Sequence, residues 1–132
     1  MLKELLGKIV SDLGAGAQAK EGREGASLTL KGAEIFFREL APGLFFRTAI
    51  GETPAERKEE FFSHLMHANL LGQGTGGAVL GMSEDEKFLT LSLIIPYELD
   101  YAEFALRVEE FANFADFWRA EVERFKKESR VL

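Results

Sequence analysis

Three short apolar stretches stand close together early in the chain, and they restrict the fold more than any other feature. Ser27-Leu28-Thr29-Leu30 alternates, Glu34-Ile35-Phe36-Phe37-Arg38-Glu39 is richer in aromatics, and Leu44-Phe45-Phe46-Arg47-Thr48-Ala49-Ile50 is the third. Lys31-Gly32 and Pro42-Gly43 supply turn chemistry between them. Connections this short suit an antiparallel meander and leave no room for a crossover helix. Two further strand candidates lie beyond residue 77. Ala78 to Met82 is one, and Phe88-Leu89-Thr90-Leu91-Ser92-Leu93-Ile94-Ile95, closed by Pro96, is the strongest in the chain. The polar turn Ser83-Glu84-Asp85-Glu86 separates them.

Helices punctuate this run of strands. Leu2, Leu5, Leu6, Ile9, Val10 and Leu13 recur at three- and four-residue steps, which predicts an amphipathic helix ended by Gly14 and Gly16. Ala15 to Gly25 is small and polar and is expected to be a loop. Thr53-Pro54-Ala55-Glu56 has the form of a capping box with proline at the first helical position, so a second helix is expected from there to about Leu71. Phe61, Phe62, Leu65, Met66, Ala68, Asn69 and Leu70 make its second half apolar on more than one face. Asp100 with Glu103 forms a second capping box. A long helix follows, striped by Tyr101, Phe104, Val108, Phe111, Ala115, Trp118, Val122 and Phe125. The predicted order is α-β-β-β-α-β-β-α. Strands cluster without βαβ alternation, so the class is α+β: an antiparallel twisted sheet with helices packed on it, a single domain over residues 1–132.

Composition narrows the function. The 22 Asp and Glu outnumber 16 Lys and Arg, for a net charge of −6. Affinity for nucleic acid comes largely from neutralised phosphates, and anionic membranes attract polybasic segments, so both partners are disfavoured. A basic or amphipathic polypeptide is compatible. With no cysteine, disulfides and thiolate chemistry are excluded, which fits a reducing cytoplasm. Lys3, Glu4, Lys8 and Asp12 interrupt the N-terminal leucines, so no signal peptide is expected, and no stretch suits membrane insertion. At 132 residues the chain is small, and association with a second copy would cover apolar surface.

Motifs that suggest chemistry have plainer explanations. The glycine run Gly72 to Gly77 lies where a helix ends and a strand begins, the reverse of a phosphate loop, and no Gly-Lys-Ser/Thr follows. His64 and His67, with Glu60 one turn before, could hold a metal, but a third close ligand is not evident and the spacing is not the i, i+4 of a zincin helix. Glu56, Glu59, Glu60, Glu109 and Glu110 suit solvated helix faces. No nucleophile elbow is present, so catalysis and cofactors are not expected.

Twelve phenylalanines are more telling, because several come as neighbours: Phe36-Phe37, Phe45-Phe46 and Phe61-Phe62. Adjacent strand residues point to opposite faces. One member of each strand pair therefore leaves the face its neighbour occupies. Either a second copy covers the other face, or that face is a groove for an extended peptide.

Ala68-Asn69-Leu70-Leu71-Gly72-Gln73-Gly74-Thr75-Gly76-Gly77-Ala78-Val79-Leu80-Gly81 resembles the centre of the class I type III secretion chaperone family, where a helix meets a glycine-rich turn and enters a strand. Leu89-Thr90-Leu91-Ser92, Pro96, Leu99-Asp100-Tyr101, Phe111-Ala112-Asn113 and Trp118-Arg119 fall where that family's closing strand and C-terminal helix would be. The resemblance spans roughly Ser27 to Arg119 and implies a homodimeric, cytoplasmic bacterial protein linked to virulence. Such a protein holds the N-terminal segment of a secreted effector and presents it to a secretion apparatus, with the secretion ATPase as a further expected partner. On this resemblance Leu5, Ile9, Leu13, Phe36, Phe46 and Leu91 are expected to bind effector. Phe62, Met66, Asn69, Val79, Leu80 and Met82 are expected to form the subunit contact. A regulatory or binding domain of the YbjN-like type with the same architecture is the alternative, and a small enzyme or metal sensor using His64, His67 and Glu60 is a third.

Overall fold

The structure, a computed structural model, describes residues 1–70 and 76–131. Among the described residues α-helices run over Leu2–Leu13 (α1), Lys58–Asn69 (α2) and Tyr101–Val131 (α3). Six strands cover Ala17–Glu21 (β1), Ala26–Leu30 (β2), Ala33–Glu39 (β3), Leu44–Glu52 (β4), Val79–Met82 (β5) and Phe88–Ile95 (β6). They form one sheet in the order β1-β2-β3-β4-β6-β5. The class is α+β, as the clustering of strand patterns predicts.

Two elements differ from the sequence expectation. Ala15 to Gly25, expected as a loop, contains β1, which pairs antiparallel with β2 from Ala17↔Leu30 to Glu21↔Ala26. Only Ala17 of this strand is buried. Pairing to an otherwise open β2 edge sets its conformation, so no alternating apolar signal marks it. The second difference is the start of α2. Thr53 does not cap it: its hydroxyl donates to the Glu86 carbonyl at 2.8 Å and its amide to the Lys87 carbonyl at 2.9 Å. The helix begins at Lys58, after Arg57 in the left-handed region at φ 55°. By contrast, Asp100 does cap α3, its carboxylate accepting the Glu103 amide at 2.8 Å.

By its internal contacts the chain divides into two units, Met1–Thr48 with Leu93–Glu109, and Ala49–Ser92 with Glu110–Leu132. In the first, one face of the meander is apolar by strand parity: Leu28 on β2, Ile35 and Phe37 on β3, Leu44 and Phe46 on β4. Phe104 of α3 meets this face. Its ring centroid lies 5.7 Å from that of Phe37 and 6.1 Å from that of Phe46, while Phe37 and Phe46 pack edge to face at 4.8 Å. All three rings are fully buried, and edge-to-face pairs add about 0.5–1.5 kcal/mol each to the burial itself. Helix α1 lies along β1 and buries Leu2, Leu5, Leu6 and Ile9. Gly43 stands at φ 106°, where a Cβ would fall 1.9 Å from the Ile95 carbonyl oxygen, so the turn after the cis Ala41–Pro42 bond admits only glycine.

The second unit packs α2 against β5 and the C-terminal half of α3. Phe61 is fully buried with its centroid 4.7 Å from that of Phe125, and Leu65, Leu80, Leu89, Leu91, Trp118 and Val122 complete this core. Arg119 donates from Nε to the Ala49 carbonyl at 3.1 Å.

Candidate functional site

Burial sorts the expected effector-binding residues. Leu5 and Ile9 belong to the packed stripe of α1, and Phe46 and Leu91 expose nothing. These four lie in the chain's own core, for a simple reason. Phe46 shares a strand face with Leu44, Thr48 and Ile50, all buried, and Leu91 is opposite buried Leu80. Leu13, at 51% exposed, and half-buried Phe36 keep accessible surface.

The solvent face of the meander carries, beside the expected Phe36, three residues outside that expectation: Arg38, Phe45 and Arg47. Phe36 on β3 lies opposite Arg47 on β4, and Arg38 lies opposite Phe45. The result is a checkerboard with aromatics on one diagonal and arginines on the other. The Arg38 guanidinium lies 6.0 Å from the Phe36 centroid and 5.9 Å from the Phe45 centroid, within cation–π range of both. Ile94 of β6, opposite in parity to buried Leu93 and Ile95, is exposed. A Cβ on Gly25 would fall 2.9 Å from the Phe36 ring, so that ring rests on bare backbone. The signal was present in the sequence: an arginine two residues from a phenylalanine marks which of each aromatic pair faces water.

Residues expected at a subunit contact also separate. Met66 (72% exposed), Val79 (58%) and Met82 offer apolar surface around α2 and β5, and Phe62 is half-buried. Leu80 is buried within its own chain. Asn69 is engaged there too: its Nδ2 donates to the Leu80 carbonyl at 2.9 Å, and its Oδ1 accepts the Leu80 amide at 2.7 Å.

The candidate metal ligands go to three different partners. Glu60 pairs with Arg57, His67 Nδ1 lies 2.8 Å from the Ser63 carbonyl of its own helix, and His64 Nε2 lies 3.6 Å from Glu121. Among the described residues no group of three or more His, Asp or Glu converges as a metal would require. The displaced ionisations likewise belong to local contacts. The Leu2 amide holds Glu39 below its usual range, the Ser83 hydroxyl does the same to Asp85, and the bond to Asp12 raises Tyr101. Of the glycine run, residues 72–75 lie outside the described residues. Gly76 is at φ 66° with the Phe114 ring where its Cβ would be, between the end of α2 at Asn69 and the start of β5 at Val79. Among the described residues no helix is long and apolar enough to cross a membrane.

The accessible apolar side chains of the described residues thus fall on the sheet of the first unit and on α2 and β5 of the second. No curated protein matches the chain. A solved structure is similar: a chain of the heterodimeric complex ExoU-SpcU from the type III secretion system of Pseudomonas aeruginosa, 14% identical, with 96% of each chain covered and a TM-score of 0.55. That likeness is one of fold. The model of the Tir chaperone protein (CesT) family matches residues 4–119. With that match running through both helical ends and the whole sheet, the chain belongs to the Tir chaperone (CesT) family.

Proposed function

We propose that the protein is a type III secretion chaperone. It acts as one domain that binds the N-terminal segment of a cognate effector, keeps it soluble and partly unfolded, and delivers it for secretion. Family membership over residues 4–119 carries this conclusion. The ExoU-SpcU structure, a heterodimer from a type III secretion system, supports a protein partner for a chain of this fold. The physical features agree. Phe36 and Phe45 are accessible apolar side chains on one sheet face of the first unit, in which Leu13 of α1 and Ile94 of β6 are exposed as well. An extended segment laid over the sheet face buries area without needing a fold of its own, at the entropic cost of becoming ordered. Met66, Val79 and Met82 suit pairing with a second copy in the cytoplasm.

The test is affinity purification of the tagged chain from its native bacterium, with mass spectrometry of what is recovered and light scattering of the purified protein. A dimer that recovers one protein, and loses it when that protein's N-terminal segment is deleted, is the expected result. A monomer that recovers nothing, or binding that survives the deletion, would overturn the proposal.

A further inference from the structure

The chain carries a net charge of −6, yet one sheet face of its first unit is cationic. Strand parity and register place Lys20, Phe36 and Arg47 in one row across that face, through Lys20↔Ser27, Ser27↔Phe36 and Phe36↔Arg47. Arg38 and Phe45 form the next row on β3 and β4. Of the strand residues with this parity between Ala17 and Thr48, Glu34 is the one carboxylate. Three arginines elsewhere have a carboxylate partner three residues away: Arg57 with Glu60, Arg119 with Asp116 and Arg124 with Glu121. Among the described residues none of the ion pairs involves Lys20, Arg38 or Arg47.

We infer that this face receives an extended polypeptide segment bearing carboxylates at alternate positions, flanked by apolar side chains. The inference deepens the chaperone proposal by naming the chemistry of the client segment. Three features point to it. The Arg38 guanidinium is bracketed by two phenyl rings at 6.0 and 5.9 Å, which orders its plane and leaves its N–H groups for a carboxylate. Arg38 and Arg47 are diagonal neighbours, and such pairs stand about 7–8 Å apart at the backbone. Residues i and i+2 of an extended strand are spaced by about 6.6–6.8 Å, so two carboxylates on one side of a client strand match two arginines. Phe36 and Phe45 fill the other diagonal and would contact apolar side chains of the same segment. Nucleic acid is the weaker match, because the anionic remainder of the chain repels a continuous polyanion.

The test uses the full chain labelled with 15N, titrated with three probes and followed by amide and Arg Nε–H shifts. One probe is a twelve-residue peptide with Asp at positions i and i+2 and Phe at i−2 and i+4, so that all four share one side of the extended chain, the second is the same peptide with Lys for Asp, and the third is oligothymidylate. Saturable shifts at Phe36, Arg38, Phe45 and Arg47 with the acidic peptide alone are expected. Arg38→Gln/Arg47→Gln should weaken that binding about tenfold or more, since two charge-assisted contacts are lost. Arg38→Lys/Arg47→Lys keeps the charge without the planar stacking and should fall between. Both variants alter accessible side chains, and an unchanged amide spectrum elsewhere verifies folding. Equal response to the acidic and basic peptides, no response, a preference for oligothymidylate, or indifference to the Gln variant would overturn the inference. So would conversion of a wild-type dimer to monomer by the Gln variant, which would make this face a contact between copies. None of those results touches client capture by the wild-type chain, so the chaperone proposal stands or falls separately.

Discussion

Asn69→Ala should destabilise the protein by about 2–3 kcal/mol, because Asn69 does for an edge strand what a neighbouring strand would do. β5 is at the edge of the sheet, and the backbone N–H and C=O of Leu80 are directed away from β6. The Asn69 carboxamide meets both, at 2.7 and 2.9 Å, copying the two-point pairing of a strand. Leu80 is only 4% exposed, so water replaces the lost amide poorly. Two net hydrogen bonds at about 0.5–1.5 kcal/mol each set the base, and incomplete resolvation of the Leu80 groups moves the total toward the top of that range. Urea unfolding followed by the lone, buried Trp118 measures it. With an m-value of about 2 kcal/mol/M, the midpoint should fall by roughly 1–1.5 M. The difference between wild type and variant should not change with protein concentration, since both partners are in one chain. A shift under about 0.3 M would show that the amide does not hold the edge. A difference that grows on dilution would show that Asn69 acts between subunits, as the family resemblance first suggested.

Three further outcomes follow from the same geometry. Asp100→Ala should cost about 0.5–2 kcal/mol, whereas Thr53→Ala, whose side chain makes an exposed bond to Glu86 rather than a cap, should cost under about 0.5 kcal/mol in the same urea assay. Gly43→Ala should lose about 3 kcal/mol or more through its positive φ and the clash with the Ile95 carbonyl, while Gly7→Ala, in the middle of α1 with open space at its Cβ, should gain about 0.5–1 kcal/mol by thermal unfolding. Glu39 has its carboxyl lowered from 4.5, first by the Leu2 amide. A lowered folded-state value stabilises fully above 4.5 and loses that contribution as pH falls through the folded value. Glu39→Gln should therefore differ from wild type in urea midpoint at pH 6 and approach it at pH 3, and a gap that widens on acidification would refute the linkage.

Periodicity alone makes most elements legible, since Leu28, Phe37, Leu44 and Leu89 recur where a pleated sheet must bury them. Two kinds of information escape it. β1 has no apolar pattern, because its conformation comes from hydrogen bonds to β2, and the Thr53-Pro54-Ala55-Glu56 segment has the letters of a helix start but is held instead by the Ser83–Lys87 turn. Local propensity loses in both places to a partner distant in sequence. Face assignment escapes for a different reason. Phe46, expected on the open surface, and its neighbour Phe45 are the same residue type, and only polar neighbours of like parity separate them. Arg47, not Phe46, shares a row with Phe36, and Arg38 with Phe45. The same parity changes what charge implies about the client. A net charge of −6 suggests a basic partner when the surface is averaged. Binding samples one face within a Debye length of about 8–10 Å, and on this face the sum has the opposite sign. An acidic client segment is thus compatible with an acidic protein, because on this face Lys20, Arg38 and Arg47 stand against Glu34 alone, while most of the carboxylates that set the total lie elsewhere.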